Sequence, residues 1–546
     1  MDCLGLDKTL KERLQRLSQA HQIERLKGGL IGLEKEGLRV SPHGGISQKP
    51  HPEALGSPLT NRYITTDYSE ALTEIITPPS ADREEPLRLL FEAHHFLYQH
   101  LGDEILWSTS MPCVVEGDEM IPIAGYGSSN AGMMKTVYRR GLGHRYGRVM
   151  QVIAGVHFNY SLPQAFWHTY QMLEEDKGPT QTFISESYFA MLRNLQRVGW
   201  LIPYLFGASP AVCKSFLGGR PTSLQKFDDY TYYSPHATSL RMGDIGYQNS
   251  KEQGTGIKAC YDSLAAYIKS LSCAIETPCP IYQAIGVKVD GRYEQLNANI
   301  LQIENEYYST VRPKQIPEMM EKPIHALKRR GVRYVELRSL DVNAFHPLGI
   351  AEEQVYFVEA LMLLCLLQES PKINAEEQKA IDWNELAAAH QGREPGLELQ
   401  RHGGGVLLRD WGLEICDAIQ PICEILEAGM PGEPYSRSLM LQRQRLQDAD
   451  LTPSARMLAE MRDKGESFFQ FAQRMSKQHQ HYFNQQAYSS QDQELLIQEA
   501  RDSWRRQREI EASDTIGFDA FLADYFSQQI DSTSQAEEEK WYISTG

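Results

Sequence analysis

The stretch GGLIGLEKEGLRV at residues 28–40 decides the fold, because it reads as an interior strand that two acids interrupt. Side chains alternate across a strand, so Glu34 and Glu36 point to one face while Leu33 and Lys35 point to the other. An isolated buried carboxylate costs several kcal/mol unless a cation or hydrogen bonds compensate it. The pair alone predicts either a strand with a wet face or a buried site for a positively charged ligand.

Polar side chains at alternate positions recur in four more segments that we expect to be strands. The first carries Glu70 and Glu74, with Asp67 at its entrance, and the second carries His157 and Asn159. The third carries Gln302, Glu304 and Glu306 on one face and Asn297 and Asn299 on the other, and the fourth carries Glu336 and Arg338. A single segment is explained equally well by a wet edge strand or by a buried ion pair such as Glu336 with Arg338. Five such segments in one chain instead predict a sheet with one acidic face, which favours a metal site.

The types of side chain in these segments indicate which metal is bound. Carboxylate oxygens with one imidazole and no thiolate are ligands for Mg²⁺ or Mn²⁺ rather than for structural zinc. Magnesium held by a few carboxylates usually leaves positions open for phosphate oxygens, which points to ATP chemistry. The sequence has no GxxxxGK[ST] motif, so we expect the nucleotide to be held in another way than by a P-loop.

Composition and charge narrow the class of protein. The 546 residues are 41% hydrophobic and 23% charged, which is typical of globular proteins. A net charge of -16 disfavours binding to nucleic acid. The longest apolar run, residues 360–367, is too short to cross a bilayer. Asp2, Asp7 and Lys8 lie where an N-terminal export signal would need an apolar segment. We therefore expect a cytoplasmic protein without a nucleic-acid or membrane partner.

The nine cysteines are scattered without the spacing of a zinc site or a disulfide framework. This distribution predicts reduced thiols. Cys113, in the motif SMPC, is a candidate active-site thiol, but a buried structural cysteine is the favoured interpretation.

The remaining pattern predicts an α+β protein, because strands and helices do not alternate regularly. Leu10, Leu14 and Leu17 lie on one side of a predicted amphipathic helix over residues 8–26. Further helices are expected at residues 84–101, 185–197, 264–274 and 352–368, the last of them buried. We expect a catalytic domain over residues 1–440, a helical C-terminal subdomain over 441–531 and a mobile tail over 532–546.

Long motifs, in unbroken order, resemble the proteobacterial-type glutamate–cysteine ligase. They include GLEKEGLRV, HPEALGSPLTNRYITTDYSEALTEIITP, YGSSNAGMMKTVYRRGL, RYGRVMQVIAGVHFNYSLP, ATSLRMGDIGY, LQIENEYYSTVRPK and YVELRSLDVNAF. The match is dense from about residue 28 to residue 350 and looser elsewhere. The resemblance implies a fold like the catalytic domain of glutamine synthetase, in which a curved, mainly antiparallel sheet forms a funnel with helices outside.

The resemblance also implies an activity. ATP would phosphorylate the γ-carboxylate of L-glutamate, and L-cysteine would attack the acyl phosphate to give γ-glutamylcysteine in the first step of glutathione synthesis. The alternatives are a ligase of the same fold with another amine acceptor, and a metal-binding regulatory protein that has lost turnover. Inhibition by glutathione and a monomeric state are further expectations.

Site residues follow from the resemblance position by position. The implied metal ligands are Glu34, Glu36, Asp67, Glu74, His157 and Glu336. Arg338 and Arg241 would bind phosphoryl oxygens or a carboxylate and, with Glu336, form the catalytic set. The implied substrate contacts are Asn159 and, around cysteine, Tyr138, Arg139, Tyr247 and Tyr308.

Overall fold

The computed structural model describes residues 8–246, 258–318, 320–487 and 490–528. The strands are β1 (Leu30–Val40), β2 (Ile64–Thr66), β3 (Leu72–Ile76), β4 (Ile105–Leu106), β5 (Gly155–Ser161), β6 (Ala211–Cys213), β7 (Gln225–Lys226), β8 (Thr231–Tyr233), β9 (Lys288–Val289), β10 (Arg292–Tyr293), β11 (Val311–Lys314), β12 (Tyr334–Asp341), β13 (Glu398–Arg401) and β14 (Gly404–Leu407).

Helices occupy most of the remaining described residues. They are α1 (Lys8–Gln19), α2 (Glu84–His100), α3 (Asn130–Tyr146), α4 (Gln164–Leu173), α5 (Thr180–Val198), α6 (Leu201–Phe206), α7 (Lys214–Leu217), α8 (Leu264–Glu276), α9 (Pro280–Ile285), α10 (Pro323–Arg330), α11 (Glu352–Leu367), α12 (Ala375–Gln391), α13 (Leu408–Glu427), α14 (Pro434–Gln447), α15 (Pro453–Lys464), α16 (Phe468–Gln485), α17 (Ser490–Ser513) and α18 (Phe518–Ser527).

One antiparallel sheet organises the molecule, with strand order β11-β12-β5-β1-β3-β2 and β4 paired to the end of β1. Residues 30–40, which carry Glu34 and Glu36, form β1, and this strand lies inside the sheet between β5 and β3. Its residues Ile31 and Leu33 are fully buried and anchor the strand in the core. The predicted α+β class with a mainly antiparallel sheet is confirmed.

Helix α11 lies in the interior, with α5, α13 and α14 packed around it. Its residues 354–367 are all buried and mostly apolar, and the predicted buried helix at 352–368 is confirmed. Helix α1 packs on α11 and buries Leu10, Leu14 and Leu17, as its periodicity predicts. It ends earlier than expected, because His21 adopts a left-handed backbone conformation with φ of 54°.

The C-terminal part is helical, as predicted. Helix α16 packs on α2, α17 packs on α2, and α18 packs on α3. The expected domain boundary at residue 440 falls inside α14, while the expected tail at 532–546 lies outside the described residues.

Two predicted strand assignments are wrong. Residues 297–306 form bends followed by a 3₁₀ helix, and in the bends Asn297 Nδ2 donates to the carbonyl of Gln302 at 2.8 Å. Glu70 belongs to the turn between β2 and β3 rather than to β3. Its carboxylate accepts hydrogen bonds from the backbone N–H groups of His51, at 2.8 Å, and Gly125, at 2.7 Å, so it has a local structural partner instead of facing the acids.

The expectation that all cysteines are reduced is also wrong, because Cys113 and Cys213 form a disulfide with a Cα–Cα distance of 5.4 Å. Both residues are buried, so Cys113 is a structural cysteine. Their separation of 100 residues leaves no spacing signal in the sequence. Among the described residues, no helix combines the length and apolar character that crossing a membrane requires.

Candidate functional site

Strand pairing brings the polar positions of four strands into one row. Glu36 in β1 lies opposite Glu74 in β3, and Glu34 lies opposite His157 in β5. On the other side of β5, Glu336 in β12 pairs with Asn159. Directly opposed residues share a face of the sheet. We call Glu34, Glu36, Glu74, His157 and Glu336 the acidic face.

Three members of the acidic face converge closely enough to share one ion. Ligand atoms of Glu34, His157 and Glu336 all lie within 4.8 Å of one another. His157 Nδ1 lies 3.0 Å from Glu34 Oε2 and 3.5 Å from Glu336 Oε1. The side chain of Asn159 donates to Glu34 Oε1 at 2.9 Å and so fixes that carboxylate. Two carboxylates and an imidazole in this arrangement fit a hard divalent cation.

Glu36, Glu74 and Asp67 extend the site away from this cluster. Glu36 Oε1 lies 3.8 Å from His157 Nε2, and its Oε2 accepts a hydrogen bond from the N–H of Gly155 at 2.7 Å. Burial raises the pKa of Glu36 and, together with the charges of Glu34 and Asp67, raises the pKa of Glu74 well above its ordinary value. Asp67 follows β2 in the turn that leads to β3. This part of the site therefore carries more negative charge than its protein neighbours compensate.

Glu336 differs from the other acids because cations flank it. Arg338 donates to its Oε1 at 2.9 Å, and Lys314 Nζ lies 3.0 Å from its Oε2. The pKa of Glu336 lies well below its ordinary value, although burial alone would raise it, because Arg338 and Lys314 face the carboxylate. The ion pair that the sequence offered as an alternative to a metal site thus exists, and it lies within the acidic face.

Lys314 is a residue that the sequence reasoning missed. It lies on β11 two positions after Arg312, which pairs with Glu336 across the sheet. The alternation of Arg312 and Lys314 in VRPK was the available signal, since it predicts two cations on one face of a strand.

Arg241 lies under the site, buried against β5 and β12. Its guanidinium donates to the carbonyl of Arg338 at 2.9 Å and lies 3.6 Å from Asp341 Oδ1. It also occupies the space beside Gly155, where a Cβ would come within 2.1 Å of Arg241 Nη2. Glycine at position 155 is therefore required for this close approach.

The predicted cysteine-pocket residues come from α3 and from the turn before β11. Tyr308 donates to Gln151 Oε1 at 2.8 Å, and its ring packs edge-on against Tyr146 with centroids 5.9 Å apart. Tyr138 is half-buried on α3, and Arg139 donates through Nε to the carbonyl of Asp67. Tyr247 lies outside the described residues.

Glu306 has a structural role that its sequence pattern did not reveal. Its carboxylate accepts from Arg145 and from Tyr146, both at 2.8 Å, and from the backbone N–H of Gln302 at 2.7 Å. Arg145 and Glu306 are both fully buried, so this ion pair joins α3 to the turn that carries Tyr308. Glu306 therefore supports the pocket from outside the acidic face.

Comparisons with known proteins agree with these features. A family profile described as glutamate–cysteine ligase matches residues 14–387. A glutamate–cysteine ligase of Alcanivorax borkumensis is 46% identical over 525 residues, which cover 95% of this chain and 99% of the relative. One of Pseudomonas putida is 47% identical over 503 residues, covering 92% and 95% of the two chains.

A solved structure supports the same relationship. The glutamate–cysteine ligase of Francisella tularensis, crystallised in complex with AMP, superposes with a TM-score of 0.85 at 36% sequence identity. The superposition covers 91% of this chain and 97% of that structure.

Proposed function

The chain belongs to the glutamate–cysteine ligase family, and from that premise we propose that its acidic face binds the metal ions that the ligation requires. The activity is the ATP-dependent joining of the γ-carboxylate of L-glutamate to the amino group of L-cysteine, through γ-glutamyl phosphate. Its products are γ-glutamylcysteine, ADP and phosphate, in the first step of glutathione synthesis.

The convergence of Glu34, His157 and Glu336 is the observation that carries the metal proposal. These residues would hold Mg²⁺, or Mn²⁺ in its place, while Glu36, Glu74 and Asp67 would complete the ligand set. Bound Mg²⁺ would neutralise the phosphates of ATP and align them with the anionic glutamate. The raised pKa values of Glu36 and Glu74 fit this role, since burial is the main cause of both shifts and a bound cation would stabilise the charged form of each carboxyl.

The surrounding residues would orient the substrates. Arg338, beside Glu336, would bind phosphoryl oxygens while the γ-phosphoryl group of ATP passes to the glutamate γ-carboxylate and ADP leaves, and Arg241 would support Arg338 through its backbone carbonyl. Asn159 Oδ1 has no hydrogen-bond partner among the described residues, so it can accept a hydrogen bond from a substrate donor. Tyr138, Arg139 and Tyr308 would enclose cysteine, and the same assignment includes Tyr247.

Acceptor choice is tested by ADP release with Mg²⁺, ATP and L-glutamate, with one amino acid added at a time. Stimulation by L-cysteine above alanine, serine and 2-aminobutyrate supports the assignment. Equal stimulation by another amine would instead identify a ligase with a different acceptor, and no ADP release under any condition would identify a regulatory protein.

The Glu336→Gln variant tests the metal proposal in the same assay. We expect Mg²⁺-dependent turnover to disappear while the chain still unfolds in one cooperative transition, at a lower midpoint than the wild type because Arg338 and Lys314 lose their carboxylate partner. Glu398→Gln, which changes an exposed strand acid outside the site, is the matched control and should keep full turnover. Near-normal turnover of Glu336→Gln would contradict the assignment.

Three further properties belong to this proposal. We infer a cytoplasmic monomer, in which glutathione competes with glutamate because it contains the γ-glutamyl and cysteinyl groups of the product. Light scattering of the purified chain tests the monomeric state, and inhibition kinetics with glutathione at several glutamate concentrations test the competition with glutamate.

A further inference from the structure

Helix α3 carries two cations, Lys135 and Arg139, that lie one helical turn apart above the same aromatic ring. Lys135 Nζ lies 5.2 Å from the centroid of the Tyr126 ring, and the guanidinium carbon of Arg139 lies 4.5 Å from it. The Tyr126 hydroxyl donates to the carbonyl of Asp67 at 2.9 Å, so the ring stands beside the turn that leads into the acidic face. Both cations are therefore held near the implied metal ligands.

Within the described part of the chain, neither cation has an acidic partner. The Arg139 guanidinium donates hydrogen bonds to the backbone carbonyls of Asp67 and Lys135, and it forms no ion pair within the described residues. Lys135 Nζ makes neither an ion pair nor a hydrogen bond with any part of the chain that the structure describes. Like charges one turn apart disfavour a helix. The arrangement becomes favourable once an anion lies between the two side chains.

Lys135 is exposed to solvent although many protein atoms surround it. Its side chain is exposed to solvent, while burial among surrounding protein atoms and the charge of Arg139 lower its pKa to about 8. Glu74 opposes this shift, which places the ammonium near the acidic face without bringing the two into contact. An exposed ammonium near the acidic face is suited to a charged ligand that enters from solvent.

We propose that Lys135 is a substrate-contact residue whose ammonium binds an anionic oxygen, either of an ATP phosphate or of an amino-acid carboxylate. This inference rests on the proposed function, because it takes the acidic face as the place where the substrates meet. Arg139 was already an implied cysteine-pocket residue, whereas Lys135 extends the anion-binding surface one turn towards the start of α3. The competing explanation is that Lys135 only covers the Tyr126 ring with its aliphatic stem.

Two substitutions distinguish a role of the Lys135 charge from a role of its aliphatic stem in covering the Tyr126 ring. Lys135→Met keeps an unbranched stem over Tyr126 and removes the charge, whereas Lys135→Arg keeps the charge. We expect Lys135→Met to raise the KM of one substrate by about tenfold or more, as loss of a charge-assisted hydrogen bond does, and Lys135→Arg to restore most of that loss. The thermal unfolding midpoint of both variants should stay at the wild-type value.

Varying each substrate in turn identifies the anion. An increase confined to the KM for ATP identifies a phosphate oxygen as the partner of Lys135. An increase confined to the KM for glutamate or for cysteine identifies the carboxylate of that amino acid. Lys269→Met, on the exposed face of α8, is the matched control and should leave every KM unchanged. Wild-type KM values for all three substrates in Lys135→Met would overturn the proposal and leave ring cover as the role of Lys135.

A binding measurement separates this inference from the proposed function. Equilibrium dialysis with labelled ATP, and then with labelled glutamate, measures affinity without turnover, so a change caused by Lys135→Met is visible even where the metal assignment fails. Retention of turnover by Glu336→Gln would overturn the metal assignment alone. Unchanged affinity for both labelled ligands, together with an unchanged KM for cysteine, would overturn the role of Lys135 alone.

Discussion

Glu34 and Glu36 lie two residues apart on one strand, yet their surroundings shift their carboxyl groups in opposite directions. Burial would raise the pKa of Glu34, but the hydrogen bond from His157 lowers it, whereas burial raises the pKa of Glu36. The spacing of the two acids could be predicted from the sequence, because strand geometry alone places them on one face. The difference between them could not, since His157 lies 123 residues away.

Glu294, an acid outside the site, gives a prediction about the pH dependence of stability. Glu294 accepts from Arg292 at 2.6 Å and faces His144 Nε2 at 2.8 Å, and these contacts lower its pKa to about 2 from an ordinary value of 4.5. Because the pKa is lower in the folded chain, the stabilisation is present above pH 4.5 and is lost as the pH falls towards 2.

Glu294→Gln should therefore lower the free energy of unfolding at pH 7 by about 1 kcal/mol. The difference from the wild type should shrink between pH 5 and pH 3, because the wild-type carboxyl becomes protonated in the unfolded chain over this range. Denaturant titrations at several pH values measure it. An equal difference at every pH would show that the contacts of Glu294 do not depend on its charge.

At the scale of elements, the inner strands of the sheet, which pair with another strand on each side, could be predicted from the sequence. The irregular segment at 297–306 could not. In β1 and β5, apolar side chains on the rear face fix the register that the alternation predicts. The Asn297 side chain instead donates to the carbonyl of Gln302 and accepts from the backbone N–H of Asn299, since asparagine competes locally with strand pairing. The polar alternation of Gln302, Glu304 and Glu306 was therefore misleading.

Helix α18 gives a prediction about a single element. Leu522 and Tyr525 form a small hydrophobic cluster with Met134 and Val137 of α3 that is separate from the main core. Leu522→Asp should detach α18 and leave the main unfolding transition near its wild-type midpoint, because only this cluster is disrupted.

Limited proteolysis measures the detachment as faster cleavage between α17 and α18. Tyr138 also packs on this cluster, so the KM for cysteine should rise more than the KM for ATP. Ala523→Asp, on the exposed side of α18, is the control and should be cleaved at the wild-type rate. Global unfolding of Leu522→Asp would instead show that α18 is essential to the main core.

At the scale of the whole molecule, the antiparallel sheet and its acidic face were predictable, whereas the links between distant segments were not. The Cys113–Cys213 disulfide and the buried ion pair of Arg83 with Glu359 join segments that only the folded chain brings together. Neither link has a short-range signal. The family motifs supplied the architecture, and the packing of the C-terminal helices on α2 and α3 had to be observed.

Reduction of the disulfide should destabilise the chain without unfolding it. A cross-link across a long loop typically contributes about 2–5 kcal/mol, and because both cysteines are buried in the core we expect the surrounding side chains to stay packed on reduction. We expect dithiothreitol to lower the thermal midpoint of the wild type, to leave that of Cys113→Ser unchanged, and to increase the thiols titrated in denaturant by two. An identical midpoint with and without dithiothreitol, with both thiols already free, would contradict the observed pairing.

The central claim is that the acidic face holds the metal ions of the ligase reaction, and electron paramagnetic resonance of bound Mn²⁺ tests it most directly. Mn²⁺ is titrated into the full chain, Glu34→Gln and the exposed-acid control Glu398→Gln. We predict that the wild type and Glu398→Gln bind the same number of ions, and that Glu34→Gln loses at least one of them or binds it at least tenfold more weakly. An unchanged number and affinity of bound Mn²⁺ in Glu34→Gln would contradict the claim.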